Sequence, residues 1–317
     1  MKRAFVFPGQ GSQTVGMGKE LAEAFPVAAQ VFEEVDDALG QKLTSLMYEG
    51  PIEDLTLTEN TQPALMAVSV AVARVLESEG NFKLSDASSF VAGHSLGEYS
   101  ALTAVGSLEL ADTARLLKAR GLAMQKAVPV GFGAMAALLG MDIEPVEELV
   151  AEAAAAADAD GICVVANDNA VGQVVLSGHK QAVERVIELA KEKGVRKAML
   201  LPVSAPFHCP LMQPAADEMA AKLTDVKIVP PSVPLVSNIT ADEVSDPETI
   251  RSLLIEQVTG RVRWRESVLF MGTQDIESLF ELGTGKILSG MVRRINKEMK
   301  GSAIQGPADI EAFLKSL

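Results

Sequence analysis

The feature that most constrains this chain is the pentapeptide Gly93-His94-Ser95-Leu96-Gly97, which matches the pattern G-x-S-x-G. A short apolar segment near Ser89–Ala92 predicts a strand before it, and the residues from about Leu96 to Val105 predict a helix after it. The glycines permit a sharp strand-to-helix turn that projects the serine hydroxyl, beside free helix N–H groups suited to an oxyanion. The pattern therefore predicts a nucleophilic Ser95, with a merely structural turn as the alternative.

A serine hydroxyl is a weak nucleophile at neutral pH and needs a base, for which histidine titrates in the right range. The chain has three histidines. His94 adjoins the serine, but its side chain should point elsewhere, and His179 stands at the predicted start of a helix, where capping or plain exposure is expected. His208 lies in a proline-rich loop and is the best candidate; a histidine that only packs is the alternative.

Arg120 is informative through its position on a predicted helix from about Leu108 to Lys126. At 3.6 residues per turn it shares the apolar face of Leu116, Leu117 and Met124, so its guanidinium should point inward. A buried guanidinium needs an anion. The sequence leaves two possibilities open, a structural carboxylate and a substrate carboxylate held by a two-pronged ion pair.

The order of predicted elements between about Gly133 and Leu201 indicates a small inserted domain. They alternate as strand, helix, strand, strand, helix and strand: Ala134–Leu139, Glu144–Ala157, Ile162–Ala166, Gln173–Ser177, Lys180–Lys193 and Arg196–Leu201. This is the ferredoxin-like (βαββαβ) order, and the two ends of such a unit lie close together. We therefore predict an inserted domain over 131–201 within a larger domain formed by 1–130 and 202–317.

The larger domain is predicted to be α/β with a parallel sheet. Ala4–Phe7 predicts a short buried strand that ends at Pro8, and the apolar segment from Pro63 to Glu79 predicts a helix buried in the core. Val233–Val236 and Ile276–Glu281 predict further strands of the same sheet.

Composition excludes several classes of function. With 42 acidic and 28 basic residues the chain carries a formal charge of −14, which disfavours nucleic acid as a partner. No apolar run is long enough to cross a membrane, and the N-terminal apolar stretch is too short for a secretion signal. Cys163 and Cys209 lack metal-ligand or redox spacing, so we expect no metal site and a cytoplasmic location.

Several segments in order make the chain resemble the malonyl-CoA:acyl carrier protein transacylase family of type II fatty acid synthesis over nearly its whole length. The matching segments are Phe5-Val6-Phe7-Pro8-Gly9-Gln10-Gly11-Ser12-Gln13, Thr61-Gln62-Pro63-Ala64-Leu65, Gly93-His94-Ser95-Leu96-Gly97-Glu98-Tyr99-Ser100, Gly133-Ala134-Met135-Ala136, Phe207-His208 and Glu281-Leu282-Gly283. One departure is Thr284, where relatives commonly have proline.

The resemblance implies an α/β-hydrolase-like domain with a ferredoxin-like insertion and a site in the cleft between them. It implies that Ser95 carries a malonyl ester and that His208 is its base and later the general acid. The amides of Gln10 and Leu96 would form an oxyanion hole. The backbone carbonyl of Gln257 would orient the histidine, giving a Ser–His dyad without a carboxylate.

The resemblance also implies the substrates. Arg120 matches the arginine that clamps the malonyl carboxylate, and Phe207 should narrow the pocket in favour of malonyl. Malonyl-CoA is then a substrate rather than a cofactor, no cofactor is needed, and the partner is an acyl carrier protein with a phosphopantetheine arm. Because that carrier is acidic, a local basic patch is expected, either Arg196-Lys197 or Lys286 with Arg293-Arg294, although these are equally explained as solvated charges.

Two other functions compete with this hypothesis. An ordinary α/β-hydrolase, such as an esterase or thioesterase, would use the same elbow but pair a carboxylate with a late histidine, and no histidine follows His208. A non-enzymatic scaffold would tolerate the loss of Ser95 or His208, and both are present.

Overall fold

Two β-sheets organise the chain in the computed structural model, which describes residues 2–155, 161–195, 197–203 and 205–317. The strands are β1 (Arg3–Phe7), β2 (Phe90–Gly93), β3 (Gly133–Leu139), β4 (Cys163–Ala170), β5 (Gln173–His179), β6 (Lys197–Leu200), β7 (Leu235–Val236), β8 (Glu243–Val244), β9 (Ser278–Leu282) and β10 (Lys300–Ile304). The larger sheet has the order β10-β9-β1-β2-β7-β8 and is parallel except for the β7–β8 pair. The predicted α/β class with a parallel sheet is confirmed.

Helices cover both sheets. They are α1 (Lys19–Ala24), α2 (Pro26–Leu39), α3 (Leu43–Glu49), α4 (Ile52–Thr56), α5 (Thr58–Gly80), α6 (Leu84–Ala87), α7 (Gly97–Ala104), α8 (Leu110–Lys126), α9 (Ile143–Ala155), α10 (Lys180–Glu192), α11 (Gln213–Thr224), α12 (Pro247–Glu256), α13 (Trp264–Thr273), α14 (Ile287–Ile295) and α15 (Pro307–Leu314), with a 3₁₀ turn at Pro210–Met212. Within the described ranges, no helix combines the length and the apolar character that a bilayer crossing requires.

The buried helix α5 begins earlier than the sequence predicts. It starts at Thr58 rather than at Pro63, and Pro63 lies inside it. Proline is typical of a first helical turn, which explains the predicted start. The preceding turn is helical because it packs closely on α8 at Gly121, where a Cβ atom would lie 2.5 Å from the Cα of Glu59.

The smaller sheet is antiparallel and takes all its strands from the segment between Gly133 and Leu200, in the order β4-β5-β3-β6. Helices α9 and α10 pack against it and enclose a separate apolar core. The predicted sequence of strands and helices is observed here. The predicted end of α9 at Ala157 and the predicted first residue of β6, Arg196, lie outside the described residues.

The two sheets are joined through the edge strand β4. The backbone N–H of Val262 donates to Ala166 O at 2.8 Å, and that of Asp168 donates to Val262 O at 3.0 Å. The Arg265 guanidinium adds ion pairs to Asp142 at 2.6 Å and to Asp168 at 2.9 Å. Val262 and the first turn of α13 therefore tie the smaller sheet to the core of the larger one and fix the cleft between them.

The turn between β2 and α7 leaves no room for side chains at its two glycines. A Cβ atom at Gly93 would lie 1.9 Å from the carbonyl carbon of Gly97, and one at Gly97 would lie 2.3 Å from the carbonyl oxygen of Phe7. Both contacts are with backbone atoms, which cannot move aside without distorting β1 or α7. Close packing of strand, turn and helix thus explains both glycines of the pentapeptide.

This packing predicts that Gly97→Ala destabilises the protein although alanine favours helices. Overpacking against the Phe7 carbonyl should lower the free energy of unfolding by about 1–3 kcal/mol or more, measured by thermal unfolding. The control is Gly290→Ala in α14, where a Cβ atom meets nothing within 4 Å. This variant should raise the free energy of unfolding by up to about 1 kcal/mol. Equal melting temperatures for Gly97→Ala and the parent protein would contradict this account.

Candidate active site

Ser95 stands at the turn between β2 and α7 in a left-handed backbone conformation, with φ 55°. Asn238 holds this conformation: its side-chain oxygen accepts from Ser95 N–H at 2.8 Å, and its side-chain nitrogen donates to Gly93 O at 2.7 Å. A non-glycine residue with positive φ is strained, and such strain persists only where neighbours enforce it. The fully buried Asn238 does so, yet no local motif marks it, so the sequence analysis missed it.

His208 meets Ser95 directly. Its Nε2 lies 2.8 Å from Ser95 Oγ, and its Nδ1 lies 2.8 Å from the backbone oxygen of Gln257 and 3.1 Å from that of Gly260. Carbonyl oxygens only accept, so Nδ1 carries the proton and Nε2 is left to accept from the serine hydroxyl. The structure thus brings together Ser95, His208 and the Gln257 carbonyl, with two carbonyls orienting the ring where one was expected.

The electrostatic surroundings keep this imidazole neutral. Burial, reinforced by the positive charge of Arg120, lowers the pKa of His208 from 6.5 to about 3. Within the described part of the chain, no carboxylate bonds to either ring nitrogen. A neutral, oriented imidazole with a free lone pair toward Ser95 is suited to act as a general base.

Arg120 points inward from α8, as predicted, and is only 1% exposed. Its Nη1 donates to Gln62 Oε1 at 2.8 Å, and its Nη2 donates to Gln257 Oε1 at 2.8 Å and to Ser95 Oγ at 3.1 Å. Nε has no partner among the described residues. All these acceptors are neutral, so the structure offers Arg120 no direct carboxylate partner in the ranges it describes, and the guanidinium faces the serine with donors to spare.

Glu98 lies behind this guanidinium without pairing with it. Its carboxyl group accepts from Asn238 N–H at 2.5 Å and from the side-chain amide of Gln257. Burial raises the pKa of Glu98 to about 8, against the opposing effects of its hydrogen bonds and of the Arg120 charge. Within the described ranges Glu98 makes no direct ion pair with Arg120. The sequence analysis did not single out Glu98, whose position immediately after the pentapeptide was the available signal.

A cavity of about 320 Å³ opens between the two sheets beside Ser95. Ser95, in the turn after β2, and Arg120, in α8, line it on the side of the larger sheet, whereas Met135 and Val175 line it from the smaller sheet. Phe207, 8% exposed, lines it next to the imidazole. The cavity is mostly apolar with a few convergent polar groups, as is usual for small-molecule sites.

The other two histidines do not contact the serine. His94 also lines the cavity, and its Nε2 lies 2.8 Å from Asn169 Oδ1, so its side chain points away from Ser95. The side chain of His179 accepts from Ile162 N–H at 2.8 Å and makes no capping bond to α10. His179 is the N-cap residue of α10 as its predicted position implies, but its ring makes no capping hydrogen bond because it bonds to Ile162, just before β4.

The two predicted oxyanion-hole residues, Gln10 and Leu96, both line the cavity. Within the described ranges neither backbone N–H donates a hydrogen bond. Leu96 directly precedes α7, where the positive end of the helix dipole adds to its amide. Both amides therefore remain available to an acceptor from outside the described residues, and their role as an oxyanion hole stays a prediction.

The predicted basic patches are on the surface. Lys197, Lys286 and Arg293 are exposed. Arg294 donates to Gln173 Oε1 at 2.8 Å and to Val171 O at 2.9 Å, so part of its charge serves a contact between the sheets. Arg196 lies outside the described residues.

Comparison with known proteins identifies the class of this protein. The acyl transferase domain model matches residues 4–280, so the protein is an acyl transferase. The malonyl CoA-acyl carrier protein transacylase of Escherichia coli strain K12 is 43% identical over 312 residues, which cover 98% of each chain. The chain belongs to the family of malonyl CoA-acyl carrier protein transacylases, which confirms the resemblance drawn from its motifs.

Solved structures agree with this assignment. The crystal structure of the acyl-carrier-protein-S-malonyltransferase from Bartonella henselae matches with a TM-score of 0.96 at 54% identity, covering 100% of this chain and 99% of that one. A type II PKS acyl-carrier protein in complex with its malonyl-transacylase matches with a TM-score of 0.95 at 41% identity, covering 100% of each chain.

The surroundings of His208 predict an unusual pH profile for acylation of Ser95. Because burial disfavours the imidazolium, the acylation rate should hold as the pH falls below 6.5 and decline only toward 3. If His208 were solvated and had the ordinary histidine pKa of about 6.5, the acylation rate would be about 30-fold lower at pH 5 than at neutral pH. The measurement is single-turnover acylation by malonyl-CoA with mass detection.

Circular dichroism, recorded over the same pH range, shows whether the protein is still folded when acylation is measured. The unfolded chain binds a proton at its ordinary histidine pKa and the folded chain does not, so stability falls as the pH drops below 6.5. An acidic limb centred near 6.5 in a folded sample would contradict the neutral, buried imidazole.

Proposed function

We propose that this protein transfers the malonyl group from malonyl-CoA to the phosphopantetheine thiol of an acyl carrier protein through an ester on Ser95, supplying extender units for fatty acid synthesis. The observation that carries the proposal is the buried Arg120, which bonds only neutral acceptors and lies 3.1 Å from Ser95 Oγ. A free carboxylate on the acyl group is the partner that this guanidinium lacks. The names of the relatives, one of them solved with a carrier protein, support both donor and acceptor.

The first half-reaction forms the ester. Ser95 Oγ attacks the thioester carbonyl while its proton passes to Nε2 of His208, and the amides of Gln10 and Leu96 stabilise the oxyanion. When the tetrahedral intermediate collapses, the C–S bond breaks and the imidazolium returns the proton to the sulfur of coenzyme A. The Gln257 carbonyl holds the ring in the required tautomer, 2.8 Å from Nδ1.

The second half-reaction reverses these steps with a different thiol. The phosphopantetheine sulfur attacks the ester, its proton moves to His208, and the C–O bond to Ser95 breaks as the serine regains a proton. The same side chains serve both halves, which gives ping-pong kinetics. Ser95 and His208 supply all the proton and acyl transfers, so the mechanism requires neither a cofactor nor a metal.

Specificity follows from the buried charge. A malonyl carboxylate pairs with Arg120, whereas an acetyl group leaves the desolvated guanidinium unpaired; breaking such a pair costs about 3–5 kcal/mol. Glu98 leaves the guanidinium available for this recognition, because its carboxyl group bonds to Asn238 and Gln257 and not to Arg120. Phe207 beside the base limits the room for a branched acyl group.

We also propose that the two sheets belong to two domains of known architecture. The order β4-β5-β3-β6 supports a ferredoxin-like insertion over 131–201, and the parallel sheet with its serine elbow supports an α/β-hydrolase-like domain over 1–130 and 202–317. The cytoplasmic location remains a prediction that rests on cysteine usage.

Of the two basic patches, we propose the one of Lys286 with Arg293-Arg294 as the carrier-docking surface, because Lys286 follows a loop that packs close to the cavity. The loop before Lys286 packs on Ser12, since a Cβ atom at Gly285 would lie 3.2 Å from Ser12 Cβ, and the neighbouring Gln13 lines the cavity. Lys197 lies at the end of β6 remote from the lining residue Leu201, about 13 Å away along an extended chain. The first patch is therefore better placed to guide a phosphopantetheine arm.

The transfer is tested by intact-protein mass spectrometry after brief mixing with malonyl-CoA. The parent protein should gain one malonyl group that holo carrier protein removes, and Ser95→Ala should gain none. In the same assay Lys286→Glu should slow the discharge to carrier without slowing adduct formation. Free malonate without an adduct or carrier product would instead favour the esterase or thioesterase alternative.

Arg120→Ala tests the origin of specificity. Removal of the guanidinium that pairs with the malonyl carboxylate should lower the rate of malonyl acylation by at least about 100-fold, whereas acetyl acylation should persist or rise. Arg115→Ala is the matched control, because Arg115 is an exposed arginine of the same helix. An equal loss with both donors would show that Arg120 serves only the structure of the site.

A further inference from the structure

A directional chain of hydrogen bonds leads from Arg120 to the loop that carries Gln10. Arg120 Nη1 donates to Gln62 Oε1 at 2.8 Å, Gln62 Nε2 donates to Thr58 Oγ1 at 3.3 Å, and Thr58 Oγ1 donates to Gln10 Oε1 at 2.6 Å. Arg120, Gln62 and Thr58 are each no more than 2% exposed. Water therefore cannot readily replace any of these three side chains in the chain of hydrogen bonds.

The guanidinium dictates the direction of every bond in the chain. Arginine has no acceptor, so Gln62 must present its oxygen to Arg120 and its nitrogen to Thr58. The Thr58 hydroxyl then accepts from Gln62, and its single proton is free for Gln10 Oε1. The Thr58 hydroxyl thus holds the Gln10 side chain in place, and its own direction is set by Arg120 through Gln62.

Gln10 needs such an anchor because its backbone has little intrinsic rigidity. It stands between Gly9 and Gly11, and Gly11 has φ +106°. The Gln10 N–H has no acceptor in the described part of the chain, and Gln10 lines the cavity. Without a side-chain tether, a glycine-flanked amide of this kind would lose its alignment toward the reacting oxygen.

We propose that Thr58 is a positioning residue, whose hydroxyl aligns the Gln10 amide with Ser95 by relaying the orientation of Arg120 through Gln62. The inference rests on the proposed function, in which Gln10 stabilises the oxyanion and Arg120 binds the acyl carboxylate. The cavity wall that recognises the carboxylate and the loop that stabilises the transition state are then one connected unit.

Two substitutions separate the hydroxyl of Thr58 from its bulk. Thr58→Val keeps the volume and removes the hydroxyl, and it should lower the rate constant for Ser95 acylation by roughly 10- to 100-fold, less than outright loss of an oxyanion donor. Thr58→Ser keeps the hydroxyl and should acylate like the parent. Binding of malonyl-CoA, measured in the Ser95→Ala background, should be unchanged by Thr58→Val because the tether acts on the transition state.

Thr103→Val is the matched control. Thr103 is a buried threonine whose hydroxyl bonds to Tyr99 O at 2.8 Å and to Thr113 at 2.7 Å, within the helical core. This variant should lose stability in thermal unfolding, as any buried hydroxyl loss does, while the acylation rate constant stays at the parent value.

The opposite ranking would overturn the inference: an active Thr58→Val with an impaired Thr58→Ser means that Thr58 only packs. Weaker malonyl-CoA binding with an unchanged rate constant would overturn it as well. Modification of Ser95 by phenylmethylsulfonyl fluoride provides a readout independent of the acyl donor. If the parent protein forms no malonyl ester, the proposed function fails, yet slower sulfonylation of Thr58→Val alone would still support the tether.

Discussion

The buried positive charge of Arg120 is the constraint on which the rest of the site depends. A guanidinium removed from water needs acceptors, and here the amides of Gln62 and Gln257 supply them. Because these amides are neutral, the charge is hydrogen-bonded but not cancelled. Each amide then has a donor left over, and those donors fix Thr58 on one side and Glu98 on the other.

Gln257 connects this charge to His208. Its side chain accepts from Arg120 while its backbone oxygen accepts from His208 Nδ1. A few residues further on, Val262 pairs with β4 of the smaller sheet. One short segment therefore sets the imidazole tautomer and the position of the opposing cavity wall. A carboxylate at His208 is not required for orientation, because two rigid carbonyls perform it.

Local patterns predicted much of this architecture. The turn at Ser95, the inward direction of Arg120 and the alternation of elements over 133–200 follow from the spacing and periodicity of residues that are close together in the sequence. Two strands were missed: β8 has only two residues, and β10 reads Lys-Gly-Ser-Ala-Ile, an exposed edge strand with no apolar alternation. Backbone hydrogen bonds to β9 place β10 in the sheet, whereas its side chains give no strand pattern in the sequence.

The sequence by itself determined the nucleophile candidate, the histidine, the inward arginine and the α/β class, since each follows from a motif or a helical period. Only the tertiary structure decided which groups surround them. Asn238, Glu98 and Thr58 are distant from one another along the chain, yet all three form hydrogen bonds to residues of the same candidate site. Hydrogen bonds of this kind depend on ångström distances between separate elements, and no local pattern of residues records those distances.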